Sequence, residues 1–158
     1  MTSATKMIRT MKKLLTTTAF LLIALANVSH GQYVSDFEET KRLAEQGNVI
    51  AQSNLGLMYR YGEGVAQNYT EAFRWYRLAA EQGDSRAQYN LGLMYANGQG
   101  VPQNYVRAYV WFSVAAAQGD ENARNSRDTA SERLTPEQRA RGQEMATRCF
   151  ESDYQDCE

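Results

Sequence analysis

The chain has 158 residues, with 17 Lys+Arg against 18 Asp+Glu, two cysteines and a single histidine. Residues 1–31 carry four of the cations and none of the acids, so the rest holds 13 Lys+Arg against 18 Asp+Glu, a net of −5. That disfavours nonspecific nucleic-acid binding, which needs clustered positive charge. His30 lies in the same N-terminal stretch, so residues 32–158 have no histidine for a Ser-His-Asp or Cys-His site or for a histidine-based metal site.

The N-terminal stretch reads MTSATKMIRTMKKLLTTTAFLLIALANVSHGQ. Lys6, Arg9, Lys12 and Lys13 precede an apolar core from Leu14 to about Ala26, and small residues follow. This is the layout of a secretory signal peptide. The core is about 13 residues, short of the roughly 20 that cross a bilayer as a helix, so no stable membrane span is expected. Cleavage is expected after Gly31, with Ala26 as the other option and Met11 as an alternative start. No cysteine ends the core, which argues against a lipid anchor. The expected location is periplasmic or secreted.

Helix 35–46 comes next, opened by a capping box at Ser35-Asp36-Phe37-Glu38, with Phe37, Leu43 and Ala44 as its packing residues. Two copies of one unit follow. Residues 51–84, AQSNLGLMYRYGEGVAQNYTEAFRWYRLAAEQGD, return at 87–120 as AQYNLGLMYANGQGVPQNYVRAYVWFSVAAAQGD, with 21 of 34 positions identical and no gap. Within a unit Ala51, Leu55, Met58 and Tyr59 recur at helical spacing, as do Tyr69, Ala72, Phe73, Tyr76 and Ala80. Gly62 and Gly64, like Gly98 and Gly100, fall between the two helices and let the chain reverse. Gly83 and Gly119 suit a left-handed helix end, and Asp84 and Asp120 suit the N-cap that follows. Gly56 and Gly92 sit mid-helix, where the second helix approaches closely, with Ala72 and Ala108 as the expected partners. A third copy beginning at Ala123 puts Arg127, Asp128 and Ser131 where Leu91, Gly92 and Tyr95 stood, as suits a solvated end of an array. A last helix starts at the capping box Thr135-Pro136-Glu137-Gln138 and keeps Ala140, Met145 and Ala146 for packing.

The motif A-x-x-x-L-G-x-x-Y-x-x-G-x-G-V at Ala51–Val65 and Ala87–Val101 is followed by A-x-x-W-[YF]-x-x-A-A at Ala72–Ala80 and Ala108–Ala116. Together they resemble the Sel-one-like repeat family, relatives of tetratricopeptide repeats. The resemblance implies an all-α fold, a right-handed α-solenoid of stacked helix–turn–helix hairpins with about seven helices. The expected organisation is a signal peptide at 1–31 and one repeat domain at 32–158. That domain would hold a partial unit 32–50, full repeats 51–84 and 87–120, and C-terminal capping helices 121–158.

By the same resemblance the inner face would carry Ser53, Leu57, Arg60 and Tyr61, then Arg86, Tyr89, Leu93 and Asn97. Arg60, Tyr61, Arg86 and Tyr89 stand out because tyrosine and arginine are enriched where binding energy concentrates. The partner implied is a protein or peptide, and the role an adaptor or regulator in the bacterial envelope, with no cofactor and no metal. A self-associating module or homodimer is an alternative. A further one comes from cysteine-rich exported relatives associated with β-lactam or peptidoglycan binding or hydrolysis. Those relatives carry a cysteine pair in each repeat, and both full repeats here have none. Cys149 and Cys157 read as a disulfide, since a metal site would want more ligands and a nucleophile would want a base. Trp75, Trp111, Tyr59 and Tyr95 recur at equivalent positions and read as core. The sequon Asn68-Tyr69-Thr70 is absent from the second copy and reads as chance.

Overall fold

The computed structural model describes residues 36–157, so the signal peptide and Ser35 of the first capping box lie outside the described residues. Seven helices follow in order: α1 at 36–45, α2 Val49–Tyr61, α3 Tyr69–Ala80, α4 Ser85–Asn97, α5 Tyr105–Ala117, α6 Glu121–Glu132 and α7 Pro136–Glu151. No strand occurs among the described residues. Helices α2–α3 and α4–α5 pair as hairpins, α4 packs back on α3, and α6 and α7 both pack on α5. The result is the expected α-solenoid of stacked hairpins.

From α2 to α7, each helix start is set by a side chain placed to take an orphan backbone N–H. Asp84 accepts from Ala87 N at 2.7 Å and Asp120 from Ala123 N at 2.9 Å. Asn68 and Asn104 play the same part for α3 and α5, accepting from Glu71 N and Arg107 N. Asn68 is therefore occupied as a cap, which accounts for an asparagine at both copies without glycosylation. Thr135 and Gln138 form the reciprocal capping box that opens α7. The two glycine pairs end the first helices: Gly62 and Gly98 hold φ of 76° and 69° at the C-caps of α2 and α4. Gly100 has a second reason, since a Cβ there would strike the Tyr69 backbone at the start of α3.

The main core gathers Tyr76, Leu91, Met94, Tyr95, Trp111 and Phe112 between the hairpins. A smaller cluster of Phe37, Ala44, Ala51, Leu55 and Trp75 seats α1 against the first hairpin. Trp75, Trp111 and Tyr95 are buried core residues and Tyr59 is half-buried. Two expectations need correction. Gly56 and Gly92 face aromatic rings and not alanines: a Cβ would stand 2.7 Å from Tyr76 Cδ1 and 2.5 Å from Phe112 Cδ1. The bare glycine backbone is the floor on which each ring lies. In α7 the buried line is Gly142, Met145 and Cys149, while Ala140 faces solvent. Gly142 is selected because Tyr109 Cδ1 would be 2.9 Å from a Cβ there.

The Cys149–Cys157 disulfide is formed, with the Cα atoms 4.3 Å apart. It closes a loop in which Asp153 and Tyr154 take positive φ, at 53° and 67°. That reversal carries Tyr154 onto Gly83 in the α3–α4 turn, and Gln155 Nε2 donates to Glu81 O at 2.9 Å.

Candidate interaction surface

The first helices of successive units, α2, α4 and α6, adjoin one another along one side of the array. The residues expected to meet a partner divide there into two groups. Ser53, Arg60 and Tyr89 serve the scaffold. Ser53 is buried and its Oγ donates to Asp84 Oδ1 at 3.1 Å, joining α2 to the α4 cap. Arg60 is only 9% exposed and donates from Nη1 to Asn90 Oδ1 at 2.6 Å. Tyr89 is half-buried, its ring 5.7 Å from that of Phe112.

The other five reach solvent or a cavity. Leu57 and Tyr61, one helical turn apart on α2, are 38% and 60% exposed. Arg86 is exposed and stands 3.8 Å from Asp84. Leu93 and Asn97 line a cavity of about 330 Å³ between α4 and α6, floored by Tyr105 and Phe112. Across it stand Asn125 and Thr129 of α6 and Arg133 at its C-cap. The repeat offset of 36 residues makes Thr129 and Arg133 the third-unit counterparts of Leu93 and Asn97. They escaped the sequence reading because the polar replacements in α6 pointed to a cap, yet the backbone register continues through them.

Beneath this side, Tyr76 has a buried hydroxyl with no hydrogen-bond partner among the described residues. Burial pushes its pKa well above the usual tyrosine range, and the nearby Arg60 guanidinium opposes that only in part. Among the described residues no group of three or more His, Cys, Asp or Glu could hold a metal ion. With both cysteines in the disulfide, neither offers a thiol nucleophile. What the surface presents is aromatic and apolar area beside amide and guanidinium donors, the chemistry of noncovalent recognition.

The Sel1 repeat family matches residues 49–84 and 85–120. The protein carries two Sel1 repeats. Each Sel1 repeat begins two residues before the boundary drawn from the identities, at the first residues of α2 and α4. Val49-Ile50 and Ser85-Arg86 differ between copies, so comparing the copies could not reveal those turns as part of the unit. The chain is similar to the crystal structure of a protective antigen of uropathogenic Escherichia coli with an SLR fold. The two share 32% identity and a TM-score of 0.72, over 77% of this chain and 26% of that one. It is also similar to a Sel1 repeat protein from Oxalobacter formigenes, with 40% identity and a TM-score of 0.55, over 57% of this chain and 37% of that one. The chain thus spans well under two thirds of either neighbour. No curated protein sequence matches it significantly. Sel1 repeat folds are typically noncatalytic protein–protein interaction modules.

Proposed function

We propose that this chain is an exported interaction module of the bacterial envelope, acting as an adaptor or regulator that takes a protein or peptide segment along the α2–α4–α6 side. The observation that carries the reading is the pair Leu57 and Tyr61, large side chains left exposed one turn apart at the register positions that line the α4–α6 cavity in the next unit. Exposed aromatic and apolar anchors beside hydrogen-bonding groups are the usual centres of protein recognition. Export is supported by the leader-like sequence and by the disulfide, which belongs to an oxidising compartment. No described helix is long and apolar enough to cross a membrane. One SLR-fold neighbour is a protective antigen, which also fits a chain outside the cytoplasm.

The test is crosslinking in the native envelope, followed by capture with wild-type chain and with Leu57→Ala plus Tyr61→Ala. Both side chains are exposed, so the double variant should keep its circular dichroism while partner recovery falls about tenfold or more. Equal recovery by the two proteins would remove this surface from consideration. Arg60 and Tyr89 are poorer choices, because truncating them also breaks the bond to Asn90 and the packing on Phe112. N-terminal sequencing of the protein from cells tests export, and retention of Met1 or Met11 would refute cleavage.

A further inference from the structure

A second hollow of about 480 Å³ lies where the start of α5 meets the end of α6 and the side of α7. Arg107, Arg133 and Arg141 all line it, and no acidic residue does. Three guanidinium groups around one hollow are unexpected in a chain whose residues 32–158 carry a net charge of −5.

Ordinary structural reasons account for only part of the cluster. Arg133 caps the C-terminal end of α6, where a cation suits the helix dipole, and its guanidinium lies 6.0 Å from the Tyr105 ring centroid. Arg107 is placed the other way, in the first turn of α5, where a positive side chain opposes the dipole. Its counterpart 36 residues earlier is Glu71, which suits the start of α3 and pairs with Arg74 at 2.9 Å. The second unit has thus exchanged a fitting anion for a cation at the position facing the hollow. Arg107 Nη1 donates to Tyr95 OH at 3.2 Å, which fixes its side chain. Neither Arg133 nor Arg141 forms an ion pair among the described residues, although acids are plentiful on α6 and α7.

We propose that this hollow binds carboxylate side chains of an acidic peptide segment. Guanidinium forks pair with carboxylates through two parallel hydrogen bonds, and a local positive site in an acidic protein selects by charge complementarity. The occupant is a peptide and not a free small anion because Tyr105 and Arg133 line both this hollow and the α4–α6 cavity. One extended chain can therefore occupy the two in succession. Only this choice of occupant rests on the function proposed above; the charge argument stands apart from it.

Fluorescence anisotropy with labelled hexaglutamate and hexaglutamine tests the idea on the disulfide-intact chain. Hexaglutamate should bind and hexaglutamine should not, with about tenfold weakening between 50 and 300 mM NaCl as the charges are screened. Arg141→Gln and Arg133→Gln should each weaken binding by about three- to tenfold, while Arg124→Gln on the outer side of α6 leaves it unchanged. Equal binding of the two peptides overturns the proposal. So does equal loss in Arg124→Gln, which would mean diffuse attraction, or displacement of the peptide by equimolar inorganic phosphate, which would mean a small-anion site. Arg141 lines only the hollow, whereas Leu57 and Tyr61 line neither cavity. Native partner recovery lost in Leu57→Ala plus Tyr61→Ala but kept in Arg141→Gln therefore sinks the hollow alone. Hexaglutamate binding with recovery unchanged in the double variant sinks only the surface.

Discussion

The side chain of Tyr76 shows how finely a repeat can be edited at one position. Its ring lies on Gly56 as that of Phe112 lies on Gly92, so the ring is demanded by the fold and the hydroxyl is extra. The hydroxyl is buried without a partner among the described residues, which costs free energy that a phenyl ring does not. Tyr76→Phe should therefore keep or raise stability, by about 1 kcal/mol, in urea unfolding. The pH dependence has a definite sign. An unfolded tyrosine ionises near 10, whereas burial holds Tyr76 protonated well above that. The folded chain then binds more protons than the unfolded one above pH of about 10, so this contribution is complete below that pH and falls as pH rises. Melting at pH 8 and at pH 10.5 should show a smaller loss in Tyr76→Phe than in wild type. An identical loss in both would show that Tyr76 is not the group responsible.

At the level of elements, the joints between units are tied by buried glutamines. Gln52 Nε2 donates to Ala44 O at 3.2 Å and accepts at Oε1 from Gln82 at 2.7 Å. One unit later Gln88 donates to Ala80 O at 3.1 Å and accepts from Gln118 at 2.6 Å. Each glutamine adds a second bond to a helix-end carbonyl that already accepts from the glycine N–H of the turn, and is held in place by the next turn's glutamine. Gln88→Ala should lower the unfolding free energy by about 1–3 kcal/mol, because the buried bonds to Ala80 O and from Gln118 Nε2 are lost and the Gln118 amide loses its acceptor. A loss within error would mean that water enters the joint and replaces the amide.

The same joints mark how far the sequence could be read. Helices, turns and caps followed from local signals such as Gly62, Asp84 and Thr135, each of which acts on its own few neighbours. Gln52 and Gln88 stand in both copies, yet an identical glutamine looks the same whether it is solvated or buried. Gly56 and Gly92 were legible as close approaches, but the approaching group was not, since a ring four residues beyond an alanine occupies the same helical face. Gly142 was missed because a glycine contributes nothing to an apolar pattern.

Across the whole molecule, the array was legible from its repetition, whereas the exposure of the residues proposed to meet a partner was not. Leu57, Tyr61 and Asn97 reach solvent, whereas Ser53 and Arg60 are consumed by α2–α4 contacts whose partners, Asp84 and Asn90, lie about thirty residues away. The arginine hollow joins side chains from three helices, and no spacing within one helix could announce it. Stability at this scale depends on the Cys149–Cys157 loop. Replacing both cysteines by serine should cost about 2.5 kcal/mol in the chain-entropy picture of a loop this size. The change in urea midpoint at constant slope measures it, and an unchanged midpoint would show the bridge to be dispensable.

The tail that this bridge shapes has a further effect on how the molecule comes apart. In a linear stack each unit touches only its neighbours, so unfolding normally frays inward from an end. Here Tyr154 and Gln155 carry the last segment back to the turn between α3 and α4, the joint between the two full repeats. Helix α7 cannot peel away without breaking these contacts to the α3–α4 turn, so the two should lose structure together. Amide hydrogen exchange should then give α7 and α4 similar opening free energies, and early exchange confined to α7 would refute the coupling.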